Sequence, residues 1–269
     1  MDRREFLKLS LAGGAAMMFD ASSFAAALAD GSRAKTLVLG GGAFALGYAL
    51  AHPGEVLVLE RGIHLAADFA CTCGPFEPGE PKTALGRELL SELETCGILV
   101  DGKLELPPLA DFMSVFFAEH GGRAFLNAEL ATLNKTSRGY HVAIYGGAAD
   151  GLSEFNVRSV LDTTDVGFRN YGVDVLTGKR FGGIGPDGYF TVDLPADADG
   201  HSARLALYEA WEAAGKKPEE LLAEVNALKC LYPKERIVRR QKEGYDWVPS
   251  AQFPTLIAAF EEGVAWKSV

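Results

Sequence analysis

Gly40-Gly41-Gly42-Ala43-Phe44-Ala45 is the stretch whose residue types and spacing point most directly to a chemistry. It fits G-x-G-x-x-[G/A]. Gly40 lets the chain turn sharply, and Gly42 has no side chain, so a pyrophosphate can approach the backbone. A helix starting there aims its unpaired N–H groups at that phosphate. Ala45 takes the third glycine's place, where a small residue allows close helix–strand packing. Glu60 follows about twenty residues after the first glycine, where an acidic side chain accepts hydrogen bonds from adenosine ribose hydroxyls. The competing reading is an α/β domain that keeps its glycines for packing and holds no ligand.

The flanking elements suit the first reading. Lys35-Thr36-Leu37-Val38-Leu39 is a β-rich apolar run, as expected of a buried parallel strand. Residues 43–51 read as a helix of small and apolar residues that ends at His52-Pro53-Gly54, because Pro cannot continue the hydrogen-bond ladder. Glu55 to Leu59 is a second buried strand, closing a right-handed crossover unit. Residues 62–80 read as a loop, 82–96 and 108–120 as helices, and 123–127 as a third parallel strand. Then the period changes. Residues 131–136, 140–145 and 154–161 read as three antiparallel strands. Residues 166–200 are rich in Gly, Pro and Asp, with a hairpin around Pro186-Asp187-Gly188. Residues 202–214 and 218–231 read as helices, with Pro218 in a first turn, and a last helix starts near Pro254.

These stretches resemble the FAD-dependent oxidoreductases with a glutathione-reductase-like flavin fold. The likeness runs through Val38-Leu39-Gly40-Gly41-Gly42 to Glu60-Arg61, through Phe125–Leu130, and through Val160-Leu161-Asp162-Thr163-Thr164-Asp165. The resemblance implies an α/β fold: a Rossmann-like parallel sheet with an antiparallel three-strand meander, the FAD/NAD(P)-binding fold, followed by a reduced second segment. It implies FAD as cofactor, since NAD-only Rossmann proteins generally lack the meander. The implied cofactor-binding residues are Gly40, Gly42, Ala43, Ala45, Glu60, Arg61, Leu130 (a backbone contact to adenine), Thr164 and Asp165. There are departures. Ala45 replaces a glycine, Thr163 an alanine and Asp165 a glycine, and no clear Gly-Asp pair near the C-terminus supplies the family's last flavin contact. The tail from Trp247 to Pro254, leading into residues 256–263, is the candidate for that place, with its helix N-terminus toward the flavin pyrimidine ring.

The expected division is a signal at 1–30, an FAD-binding domain at 34–168, a reduced substrate-side segment at 169–245, and a C-terminal helix returning to the FAD domain at 246–269. The head Asp2-Arg3-Arg4-Glu5-Phe6-Leu7-Lys8, an apolar run to Phe19 and the small residues Ala25 to Ala29 form a three-part export pattern. The paired arginines resemble a twin-arginine signal, which is associated with export of already folded, cofactor-loaded proteins. A general secretory signal or an uncleaved amphipathic start are the alternatives. The expectation is export across the cytoplasmic membrane by the twin-arginine machinery, with no stable membrane span in the mature form, because the apolar run is too short.

The 269 residues carry a net charge of −10, which argues against a nucleic-acid partner. The expected partner is a small-molecule substrate or another redox protein. Cys71, Cys73, Cys96 and Cys230 leave pairing open, since connectivity cannot be deduced from sequence. Cys71-Thr72-Cys73 is neither a zinc spacing nor C-x-x-C, and no metal site is expected. A structural or oxidised role is expected for this pair, ahead of a redox or substrate-contacting thiol. His64 follows the second strand, within reach of a cofactor or substrate, whereas His120, His141 and His201 are scattered. Asp193, Asp197 and Asp199 read as a solvated loop. No catalytic residue is singled out.

Overall fold

The computed structural model describes residues 34–71, 77–146, 152–164, 172–177, 189–193, 200–213, 221–227, 240–242 and 244–267. The export head with Arg3 and Arg4, Cys73, Asp165, the Pro186-Asp187-Gly188 turn, Asp197, Asp199, Pro218 and Cys230 lie outside the described residues. β1 (Thr36–Leu39), α1 (Ala43–Ala51) and β2 (Val56–Leu59) form the opening unit. A short helix α2 (Ala67–Ala70) follows, then α3 (Ala84–Thr95), a hairpin of β3 (Leu99–Val100) and β4 (Lys103–Leu104), α4 (Leu106–Glu119) and β5 (Ala124–Phe125). The meander is β6 (Ala128–Thr136), β7 (Gly139–Gly146) and β8 (Leu152–Val157), and β9 (Ser159–Asp162) returns to the main sheet. The second segment holds β10 (Gly172–Thr177), β11 (Tyr189–Asp193), α5 (Gly200–Ala213) and β12 (Leu221–Ala227). The chain closes with β13 (Arg240–Lys242), β14 (Tyr245–Trp247), a 3₁₀ turn (Ser250–Gln252) and α6 (Leu256–Ala265).

The main sheet runs β13-β14-β9-β1-β2-β5. Its strands are parallel from β14 to β5, and β13 pairs antiparallel with β14. Side chains alternate across it, as strand geometry requires. Val38, Val56 and Val58 face the helical core with α1, α3, α4 and α6, while Leu37, Leu39, Leu57 and Leu59 pack against Tyr140, Val142, Ile144, Phe155 and Val157 of the meander. The result is a layer of helices, a parallel sheet and an antiparallel meander, the Rossmann-like FAD/NAD(P)-binding fold.

α1 is apolar on nearly every side because it lies between the sheet and α6. Residues Ala43 to Leu50 are all buried. Burying a side chain the size of Phe44 contributes about 2 kcal/mol. Two glycines let the helices cross closely. A Cβ on Gly47 would run into the Phe260 carbonyl oxygen, and one on Gly263 into that of Phe44. Thr255 caps α6 through Ala258 N–H at 3.2 Å.

Several sequence expectations change. The run 154–161 is not one antiparallel strand. Arg158 and Ser159 N–H both donate to the Lys35 carbonyl, at 2.8 and 3.1 Å, which swings the chain out of the meander and makes β9 a parallel neighbour of β1. Within the segment expected as a helix at 218–231, residues 221–227 form β12, antiparallel to β10. Its local helix formers are overridden by pairing to an open strand edge. The loop at 62–80 contains α2, and the third strand shortens to Ala124–Phe125 before Asn127 turns the chain at φ 52°. Among the described residues, no helix is long and apolar enough to cross a membrane.

Candidate dinucleotide site

Register fixes the site. Leu39 stands opposite Leu59 and Asp162, Leu59 opposite Phe125, and Asp162 opposite Trp247. Gly40, Glu60, Thr163 and Val248 therefore leave the sheet side by side, at the carboxyl ends of the parallel strands, where ligands bind in open α/β sheets. Gly40 adopts φ +91°, which L side chains rarely adopt. Thr163 locks this corner: its N–H and Oγ1 both donate to the Leu39 carbonyl at 2.8 Å.

Glu60 lies over the turn. Its Oε2 accepts from Gly41 N–H at 2.6 Å, and its Oε1 from Gly62 N–H at 2.6 Å. Ala45 is fully buried, as close packing of helix on strand requires. Arg61 points away to an exposed ion pair with Glu129 at 2.7 Å. Leu130 lies on β6, an edge strand of the meander, half-buried and packed on the meander core. Thr164 is bound to Asp162, its N–H and Oγ1 donating to Oδ1 at 2.9 and 2.6 Å, an Asx-type turn. Asp165 lies outside the described residues.

Sequence reasoning missed the residues that complete the site. Gly42 is the N-cap of α1 and, having no side chain, leaves the first helical amide uncapped. Asp68 takes that amide: Ala43 N–H donates to both carboxylate oxygens, at 3.2 and 3.1 Å. Ser250 Oγ donates to Asp68 Oδ2 from the C-terminal segment. A Cβ on Gly42 would run into Ser250 Oγ and lie 2.7 Å from Asp68 Oδ2, so these two side chains fill the space that the glycine clears. Burial pushes the Asp68 carboxyl up to about 6, with the Glu60 charge adding to it, while the bonds from Ser250 and Ala43 pull the other way. Neither lies within a local motif: Asp68 and Ser250 meet α1 through the fold alone.

The C-terminal segment is tied to the same edge. Trp247 Nε1–H donates to the Thr164 carbonyl at 2.8 Å, Val248 N–H to that of Asp162 at 2.7 Å, and Ser250 N–H to that of Thr163 at 3.1 Å. The expected opening of the α6 N-terminus toward a flavin does not hold. Ile257 N–H donates to the Pro78 carbonyl at 2.8 Å, and Thr255 takes the next two amides.

Cys71 is a free, exposed thiol, raised by burial and by the charges of Asp68 and Glu60, which opposes thiolate chemistry. Cys96 is free and buried. His64 is partly buried beside this loop, and His141 faces Glu154 at 3.5 Å on the meander. His120 Nε2 lies 3.3 Å from Glu88, and Glu92 completes a group whose potential ligand atoms lie within 4.8 Å of one another, as exposed acidic groups often do without an ion. A polar cleft of about 330 Å³, lined by Lys135, Arg158 and Tyr245 among others, sits at the amino ends of the strands, away from the glycine turn.

A positive-φ glycine, a bare N-cap and an acid at the end of β2 fit a dinucleotide, and the Asp68 carboxylate lies on the Ala43 amide, where a diphosphate oxygen would bond. The frame fits once Asp68 moves.

No protein-family model matches the chain, and no curated protein matches it in sequence. In structure it is similar to L-proline dehydrogenase from P. horikoshii, with a TM-score of 0.54 and 14% identity over 87% of this chain and 92% of that one. It also aligns with the OxyS anhydrotetracycline hydroxylase from Streptomyces rimosus, with a TM-score of 0.46 and 14% identity over 86% of this chain and 59% of that one. A third alignment is to aklavinone-11 hydroxylase in a ternary complex with FAD and aklavinone, with a TM-score of 0.46 and 14% identity over 86% and 60%. The chain thus spans less than two thirds of either hydroxylase. At these identities the first likeness establishes the fold class and nothing finer.

Proposed function

We propose that the chain is an exported FAD-dependent oxidoreductase that moves electrons or hydride between an organic substrate and FAD. The observation that carries this reading is the glycine turn at the carboxyl end of β1 with Glu60 at the end of β2, in a parallel sheet against which the separate antiparallel meander packs. Gly40, Gly42, Ala43 and Ala45 would shape the diphosphate cradle, and Glu60 would exchange its amide bonds for ribose hydroxyls. Thr164 and the outer edge of β6 at Leu130 would border the rest of the cofactor, together with Asp165 and with Arg61 once it leaves Glu129. FAD would supply the electron chemistry, and the protein its position and electrostatics. Export through the twin-arginine route is part of the proposal, on the strength of Arg3-Arg4 and the apolar run behind them.

A second reading is an FAD-binding subunit without its own substrate site, acting with another exported redox protein. The small second segment favours it: among the described residues, only three strands and one helix lie between β9 and β13. The test is an absorbance spectrum of protein purified from the cytoplasm. Flavin bands, as purified or after adding excess FAD, are expected. Their absence under both conditions, for wild type and for an Asp68→Ala variant, refutes FAD binding. Reduction of bound flavin by small organic donors favours the enzyme, and reduction only by a partner protein favours the subunit.

A further inference from the structure

A carboxylate on the first free amide of α1 makes the contact that a diphosphate oxygen would make there. We propose that Asp68 is an internal anion that latches the diphosphate seat of the empty protein and must swing out before a dinucleotide can enter. The inference rests on the dinucleotide reading of the turn and concerns how that same site is regulated.

Three features support a latch rather than an ordinary helix cap. The first is its position. The cap does not come from Gly42 or its neighbours but from α2, and it fills the cleared space beside Gly42. Glu261 shows the contrasting case. It accepts from Lys82 and Thr83 N–H at the start of α3, at 2.7 and 2.9 Å, where the N-cap is Thr83, which has its own capping hydroxyl, and not a bare glycine. The second is strain. α2 is entered through Ala66 at φ 52°, held by Ala66 N–H donating to the Gly41 carbonyl at 2.7 Å. A non-glycine residue there costs free energy, and such residues mark switch segments. The third is charge. Asp68 and Glu60 both converge on the turn, and no Lys or Arg among the described residues bonds to either carboxylate. A diphosphate brought against both would be repelled without a counter-charge. Ser250, buried and itself donating its N–H to Thr163, is the catch that holds the arm down.

The test is calorimetric titration of wild type, Asp68→Ala and Ser250→Ala with inorganic pyrophosphate and, separately, with FAD. Asp68→Ala is expected to bind pyrophosphate about tenfold to a hundredfold more tightly than wild type, the size of one charge-assisted contact relieved. Ser250→Ala, which keeps the carboxylate but frees the arm, should tighten binding by a smaller factor. Equal pyrophosphate affinity in all folded proteins, or no binding by either variant, overturns the latch. If Asp68→Ala does not fold, the Ser250→Ala comparison decides alone. Tighter pyrophosphate binding with no flavin binding in any protein would leave the latch standing and refute the FAD reading instead.

Discussion

Replacing Asp68 by Asn should remove a pH dependence from folding stability. The carboxyl rises from 3.8 to about 6 in the folded protein, chiefly because it is taken out of water. The native state therefore holds the proton more tightly than the unfolded chain. Stability from this group is fully present below the unfolded value and is lost as pH rises through about 6. At 1.36 kcal/mol per unit, the full shift corresponds to roughly 3 kcal/mol, and partial exposure of the residue reduces this to about 2. The charged neighbour that faces Asp68 is Glu60; the Cys71 thiol, itself raised, stays neutral over this range, the first turn of α1 carries no acidic residue, and Ser250 and Gln252 of the 3₁₀ turn do not titrate. Urea unfolding of wild type and Asp68→Asn, followed by tryptophan fluorescence from below the unfolded value of 3.8 up to neutral pH, reads the effect. The wild type should lose about 2 kcal/mol relative to the variant over that window, or roughly 4–8 °C in Tm for a chain of this size. Titrations common to both proteins cancel in the difference. Parallel profiles would refute the burial argument. A wild type that gains stability over that window would mean that the Ala43 and Ser250 donors outweigh desolvation.

Other parts of the structure carry their own expectations. Glu60→Ala frees the Gly41 and Gly62 amides and should weaken FAD binding by about tenfold or more, read by flavin retention on dialysis; unchanged occupancy would remove Glu60 from the site. Glu261→Ala leaves the Lys82 and Thr83 amides without their acceptor and should cost about 2–3 kcal/mol in chemical denaturation, with flavin affinity unaffected. Gly47→Ala drives a methyl into the Phe260 carbonyl and should cost about 1–3 kcal/mol, and a variant as stable as wild type would contradict the close crossing of α1 and α6.

The residues around the glycine turn were legible because their signals are local. A strand, a turn residue and a helix start lie within a few positions, so Gly40, Gly42, Ala45 and Glu60 declared themselves. The meander was legible for the same reason, through the alternation of Tyr140 to Tyr145 on β7. What failed depended on pairing across the fold. β12 carries Leu, Ala and Glu, all good helix formers, and becomes a strand because β10 presents it with an edge. The break at Arg158 follows from two hydrogen bonds to Lys35, which no periodicity announces. Asp68 and Ser250 are illegible for a stronger reason. Neither belongs to a motif, and they meet only because β14 docks beside β9 and carries the following turn onto the glycine corner.

Among the described residues, Glu261 and Asp68 each reach across the fold to a helix N-terminus, and the two differ in what surrounds them. Glu261 caps α3 from a buried position on α6 and is aided by Thr83, whose own hydroxyl accepts from Gly86 N–H at 3.0 Å. Gly86 makes room for that carboxylate, the N-cap Thr83 supplies a side chain of its own, and Glu261 satisfies amides that would otherwise be buried and unpaired. Asp68 satisfies α1 in the same way, but at an N-cap that is glycine, below a positive-φ glycine, and beside an acid that also bonds the turn. A purely structural cap would gain nothing from that arrangement: a Ser or Asp at position 42 would cap α1 locally at lower cost in backbone entropy. The bare glycine admits Asp68 and Ser250 and also leaves the Ala43 amide without a cap of its own, so that an anion from elsewhere can take it, and that is the physical case for reading Asp68 as a stand-in for phosphate.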